Sequence, residues 1–158
     1  MTTNAADVHR LLLGRGETVA VAESLTGGLL GAALTSTPGA SATFRGGVIV
    51  YATELKETLA GVPGPLLAAE GPVSAHVAAA LAAGARDRLG ATYGLGVTGV
   101  AGPDPQNGQP VGTVHLAVAG PAEGAVRSMR CEGDREQIRA ASVDAALSLL
   151  ADVVAGRG

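Results

Sequence analysis

An apolar run that turns abruptly polar and then glycine-rich constrains this chain more than any other stretch. Val19-Ala20-Val21-Ala22 is followed by Glu23-Ser24-Leu25-Thr26-Gly27-Gly28, and then by the apolar Leu29-Leu30-Gly31-Ala32-Ala33-Leu34. A short apolar run bounded by turn residues reads as a buried strand. Glycines after it give the tight turn that opens a helix packed back onto the sheet. The unit repeats in outline: Gly47-Val48-Ile49-Val50-Tyr51 is strand-like, and Thr53, Glu54 and Lys56 follow it. Two buried strands thus end in reactive side chains, and open α/β sheets bind ligands at the carboxyl ends of their strands.

The remaining segments extend the same scheme. Val8, Leu11 and Leu12 have helical spacing, with Gly14 as the expected helix end. Gly27 and Gly28 open a helix through Leu34, and Thr53 is the expected N-cap of a short helix around Leu55 and Leu59. Gly61-Val62-Pro63-Gly64-Pro65 reads as a turn. A longer helix is expected after Ser74, burying Val77, Leu81, Ala85 and Leu89, before a strand from Thr92 to Val97. The stretch from Asp104 to Pro110 is polar and rich in Pro and Gly, as in a loop. Strands at Thr113–Val118 and Ala125–Cys131 suggest a hairpin turned at Gly120-Pro121. Asp134 with Gln137 is a capping-box signal for a last helix burying Ile138, Ala141, Ala145 and Leu149. The expectation is one α/β domain over residues 1–158, a three-layer α/β/α arrangement with a mixed sheet.

Composition narrows the function classes. At 158 residues the chain can bury about two thirds of its unfolded surface. Aromatics are 2% of residues, so the core must be Ala, Val and Leu, and the elements must approach closely. A net charge of −3, no basic run and no aromatic ladder argue against nucleic acid as partner. Cys131 is the single cysteine, which leaves no disulfide framework or cysteine metal cage and fits a cytoplasmic location. The first residues, Met1 to Asp7, lack a basic leader, and no apolar run reaches the length of a membrane span. His9, His76 and His115 fall in different elements and read as structural or surface residues, so no metal is expected.

Two readings stand for each candidate reactive residue. Ser24 is either a helix cap or a nucleophile beside backbone N–H groups. Lys56 is either a surface lysine or a base, since early placement in a helix and partial burial both disfavour its charged form. A neutral lysine can deprotonate a serine. Tyr51 is either a core tyrosine or a group that orients Lys56. Glu23 could contact substrate or cap nearby N–H groups. Thr98-Gly99 is a strand exit whose hydroxyl and exposed backbone suit a phosphate or amide. Arg135 and Arg139, four apart on one helix face, are a solvated pair or a phosphate site.

Two dinucleotide motifs fail on context. Gly94-Leu95-Gly96-Val97-Thr98-Gly99 matches G-x-G-x-x-G by letter, but it lies inside a strand, with Pro103 and Pro105 where a helix should begin. Thr26-Gly27-Gly28-Leu29-Leu30-Gly31 resembles the start of a short-chain dehydrogenase fingerprint, but Ala33 occupies its last glycine. Ser24 is not in a Gly-x-Ser-x-Gly elbow, because Ala22 and Thr26 hold the glycine positions.

The motifs together resemble the CinA C-terminal domain family, the nicotinamide-nucleotide amidases, from Thr18 to about Leu150. They are Ala22-Glu23-Ser24-Leu25-Thr26-Gly27-Gly28, Pro38-Gly39-Ala40-Ser41, Phe44, Gly47, Tyr51, Lys56, Gly71-Pro72-Val73-Ser74, Val97 to Pro103, Pro110 to Val114, and Gly133-Asp134-Arg135 with Ile138-Arg139. The family pattern has Asn at Thr53 and Ser at Ala40. The resemblance implies cofactor-free deamidation of nicotinamide mononucleotide, with Ser24 as nucleophile, Lys56 as base and Tyr51 assisting. It implies an oxyanion site around Thr26, Gly27 and Gly28, substrate contacts from Glu23, Thr98, Gly99, Ala101 and Gly102, and a phosphate site at Arg135. A non-catalytic nucleotide-binding module of the same family is the alternative. The small, Ala-rich helices suggest a homo-oligomer.

Overall fold

In the computed structural model, which describes residues 3–157, three parallel strands and an antiparallel hairpin form one five-stranded sheet. In chain order the elements are α1 (Ala5–Arg15), β1 (Val19–Glu23), α2 (Leu29–Thr35), a 3₁₀ turn (Ala40–Ala42), β2 (Phe44–Ile49), α3 (Thr53–Ala60), α4 (Gly64–Glu70), α5 (Ala75–Leu89), β3 (Tyr93–Gly99), β4 (Thr113–Ala119), β5 (Ala125–Arg130) and α6 (Arg135–Val154). The readings that touch Met1, Thr2 and Gly158 lie outside the described residues.

The strand order is β2-β1-β3-β4-β5, with β1 parallel to both β2 and β3, and β3, β4 and β5 antiparallel in turn. From β1 the chain therefore crosses to one side for β2 and then back past β1 for β3. Right-handed crossovers in opposite directions put their helices on opposite faces. The two cores show this. Val19 and Val21 of β1 face α1, α2 and α6, whereas Ala20 and Ala22 face α3, α4 and α5. The three-layer mixed-sheet arrangement expected from the sequence is the one observed. β1 is an interior strand between β2 and β3, buried along its whole length, and the strand order reverses between β1 and β3.

Several local readings shift. The first helix runs past Gly14 to Arg15 and is capped by a left-handed Gly16. Gly27 and Gly28 precede α2 rather than belong to it, Gly28 serving as the N-cap. Ala52, not Thr53, occupies the N-cap of α3, and Thr53 is its first helical residue, with no side-chain cap. The turn read at 61–65 is only half a turn, because α4 starts at Gly64. Pro65 sits in its first turn, where a missing N–H costs nothing. The polar loop carries a two-residue reversal at Asn107-Gly108, both left-handed, closed by mutual backbone bonds between Gln106 and Gln109. The capping box of Asp134 and Gln137 and the cap of Ser74 on Val77 form as expected.

The G-x-G run of β3 has a packing cause. A Cβ on Gly94 would lie 1.9 Å from the Ala82 carbonyl oxygen, and one on Gly96 would lie 2.5 Å from that of Ala78. These glycines let α5 approach the sheet backbone; they are not a phosphate turn.

Candidate active site

Ser24 stands immediately after β1, and its N–H donates to Val97 O at 3.1 Å, prolonging the pairing with β3. It caps no helix: its Oγ faces Lys56 Nζ at 3.0 Å. Lys56 is the fourth residue of α3 and points inward beside Ala60, 1% exposed. Its amine also donates to Val50 O at 2.8 Å and Tyr51 O at 3.2 Å. These three acceptors account for all three N–H bonds of an ammonium. When the amine is neutral, the two carbonyls hold its two N–H bonds, and the remaining tetrahedral position, the lone pair, faces the serine hydroxyl. Burial lowers the Lys56 pKa from 10.5 to about 8, against a smaller upward pull from Glu54. Among the described residues Lys56 forms no ion pair that would restore the charge.

Tyr51 meets Lys56 through its carbonyl, not its hydroxyl. The ring is 60% exposed, and its hydroxyl accepts from Arg135 Nη2 at 3.2 Å. Arg135, first residue of α6, also donates through Nη1 to Gly102 O. An arginine thereby joins the end of β2 to the turn after β3. Ser24, Tyr51, Lys56, Thr98, Gly99, Ala101, Gly102 and Arg135 all line one cleft, with Leu25, Val73, Asp104 and Gln106 among the other walls. It opens at the switch point between β1 and β3, where such sheets bind ligands.

Five of the residues expected to touch substrate do other work. The Glu23 carboxylate, 2% exposed, is filled by donors: Thr26 Oγ1 at 2.6 Å, Gly28 N–H at 3.2 Å, Leu30 N–H at 2.9 Å and Gly31 N–H at 3.0 Å. It neutralises the N-terminal end of α2 from beneath, which is where a carboxylate is stabilised, and it does not line the cleft. Gly28 N–H is consequently spent. Gly27 N–H is spent as well, donating to Ser24 O at 3.1 Å. The Thr26 side chain turns to Glu23, away from the cleft. Thr98 lines the cleft, but its hydroxyl donates to Pro72 O at 2.7 Å, tying the turn before α5 to the end of β3.

The amides of Leu25, Thr26, Ala101 and Gly102 make no hydrogen bond among the described residues. Sequence reasoning had not singled out Asp104 and Gln106. Their signal was their place in the polar turn just after a buried strand's carboxyl end. The histidines are held apart: His9 shares a hydrogen bond with Thr43, His76 with Glu70 and His115 with Ser128. Among the described residues no three His, Cys, Asp or Glu side chains gather to hold a metal, and no helix is long and apolar enough to cross a membrane.

The sequence and the fold have counterparts among known proteins. The CinA C-terminal domain matches residues 1–154. A CinA-like protein of Frankia casuarinae is 58% identical over 146 residues, covering 92% of this chain and 34% of that protein. Another CinA-like protein, from an Anaeromyxobacter species, is 54% identical over 140 residues, again covering 34% of its length. The chain thus spans about a third of the curated relatives it matches. The crystal structure of a competence-damaged protein (CinA) superfamily protein from Klebsiella pneumoniae superposes with a TM-score of 0.93 at 31% identity, covering 96% of each chain. The competence/damage inducible protein CihA of Agrobacterium tumefaciens superposes with a TM-score of 0.85 at 35% identity, covering 92% of this chain and 93% of that one. Matched over nearly its whole length in sequence and in fold, the chain belongs to the CinA C-terminal domain family.

Proposed function

We propose that the chain is a serine–lysine amidohydrolase that converts nicotinamide mononucleotide to nicotinate mononucleotide and ammonia. The observation that carries the reading is the 3.0 Å contact between Ser24 Oγ and a Lys56 amine that burial has shifted toward neutrality. A binding module has no need of a desolvated lysine aimed at a serine. An acyl-transfer site needs one, because a free serine hydroxyl is a poor nucleophile without an adjacent base.

In the proposed reaction Ser24 Oγ attacks the carboxamide carbon and its proton passes to Lys56. The tetrahedral intermediate collapses as the C–N bond breaks, and the ammonium of Lys56 returns that proton to the leaving ammonia. Water then attacks the acyl-serine, again giving a proton to Lys56, and the carboxylic acid is released as Ser24 regains its hydrogen. The guanidinium of Arg135, held by Gly102 O and Tyr51 Oη, is the candidate partner for the substrate phosphate. Thr98, Gly99, Ala101 and Gly102 form the wall along the nucleotide.

The test is ammonia release from nicotinamide mononucleotide by the wild-type chain, Ser24→Ala and Lys56→Met. Release by wild type and loss of at least about 10³-fold in each variant is expected, in line with removal of a nucleophile or its base. Near-normal turnover by either variant rules out the dyad. Binding without release by wild type would instead point to a binding module.

A further inference from the structure

Arg139 lies one helical turn beyond Arg135 but reaches a different structure. Its Nε donates to Leu25 O at 2.9 Å and its Nη2 to Thr26 O at 3.3 Å. Both carbonyls belong to the turn that carries the nucleophile. From the other side Glu23 holds the same turn through Thr26 Oγ1 and Gly28 N–H. A cation on the carbonyls and an anion on the amides grip five residues between them.

The grip leaves a specific remainder. Thr26 is 0% exposed, yet its N–H makes no hydrogen bond among the described residues, and neither does that of Leu25. A buried amide without a partner is rare and costs free energy, so it calls for a reason. Both open amides belong to peptide groups whose carbonyl end is already bonded. Ser24 O, paired with the Leu25 amide, accepts from Gly27 N–H. Leu25 O, paired with the Thr26 amide, accepts from the Arg139 guanidinium. A hydrogen bond at one end of a peptide polarises the other end and makes it a stronger donor.

Resting on the serine nucleophile argued above, we infer that Arg139 is a positioning residue for the oxyanion. Through the Leu25 and Thr26 carbonyls it fixes the turn so that the Leu25 amide, on the cleft wall next to Ser24, meets the developing negative charge, while the Thr26 amide stays shut off from the cleft. This replaces the Gly27 and Gly28 amides, which are engaged elsewhere. Arg139 itself touches neither substrate nor Ser24. Glu23 completes the clamp and keeps the N-terminal end of α2 from competing for the anion.

The experiment reads Ser24 directly and does not depend on the substrate assignment. A fluorophosphonate forms an Oγ–P bond with an activated serine, fluoride leaves, and the transition state places charge on a phosphoryl oxygen. The labelling rate of Ser24 is followed by mass spectrometry for wild type, Arg139→Gln, Arg139→Lys and Arg139→Ala, with thermal melts to establish folding. Arg139→Gln is expected to label at least about tenfold more slowly, a fraction of what losing an oxyanion donor costs. Arg139→Lys should recover part of that, and millimolar guanidinium should speed Arg139→Ala. The pH midpoint of labelling should stay at the wild-type value, since the base is untouched.

An unchanged rate in folded Arg139→Gln overturns the inference, as does a wild-type Ser24 that does not label at all. Arg139-dependent labelling without ammonia release from nicotinamide mononucleotide would remove the substrate assignment and leave the inference standing. A slowed rate with a shifted pH midpoint and no rescue would mean that the turn had merely collapsed, and overturns it.

Discussion

A lysine buried with no ion-pair partner lowers stability, and the sign of its effect can be worked out for Lys56. Its folded pKa, about 8, lies below the ordinary 10.5. Between those values the folded chain has released the proton and the unfolded chain still holds it, so stability rises with pH through that window. Below about pH 8 the full penalty applies, about 3 kcal/mol for a shift of this size. Lys56→Met removes the buried charge, so its melting temperature at pH 7 should match or exceed that of wild type while ammonia release disappears. The same titration sets the rate. In wild type kcat/KM should climb close to tenfold per pH unit up to about pH 8 and then level off. A flat profile from pH 6 to 9 would exclude a neutral lysine as base. At this scale spacing alone offered pairs of meanings, and only the family resemblance chose between them. Ser24 and Lys56 are 32 positions apart, and only the crossover through α2 and β2 brings them together. For Glu23 the bland meaning prevailed, because three amides and a hydroxyl surround the carboxylate before any ligand can reach it.

Elements were legible wherever hydrophobic period and punctuation agreed. All five strands and the three long helices fall close to where alternation and caps put them, within a few residues at their ends. α4 was missed because its glycine and prolines read as a turn, although a proline in a first helical turn is compatible with a helix. The glycines of β3 were seen, but their meaning was not. A sequence motif records that a side chain is absent, and only the neighbouring helix shows why. That contrast is measurable. Gly96→Ala would bring a Cβ to 2.5 Å from Ala78 O and 2.7 Å from Ala82 N, with backbone on both counts and nothing flexible to yield. The cost should reach about 3 kcal/mol, the upper end for an overpacked core. Gly14→Ala, on an exposed position inside α1 with no atom near its Cβ, should gain about 0.5–1 kcal/mol from helix propensity. Chemical denaturation of the two variants checks both signs, and a tolerated Gly96→Ala would show that α5 does not lie so close to the sheet.

At the scale of the molecule, the cleft exists because the strand order reverses beside β1. The reversal parts the connections after β1 and β3, and into that gap come Ser24, the end of β2 with Tyr51, the turn through Gly102 and the first residue of α6. Arg135 bridges the last three, which no local reading of its helix could reveal: its hydrogen-bond partners are 33 and 84 positions away. Its proposed role follows from this placement. A guanidinium already fixed in direction by a carbonyl and a phenol loses little freedom when a phosphate arrives, and two charge-assisted bonds are worth more than neutral ones. Arg135→Gln should therefore raise KM for nicotinamide mononucleotide by about tenfold or more, as expected for a lost charge-assisted hydrogen bond, with a smaller change in kcat. For the corresponding nucleoside, which has no phosphate, wild type and variant should have similar kcat/KM. Comparing the two substrates separates recognition from folding, because a damaged fold would weaken both alike. Equal losses on both substrates would remove Arg135 from the phosphate and return it to the task of joining α6 to the two strand ends.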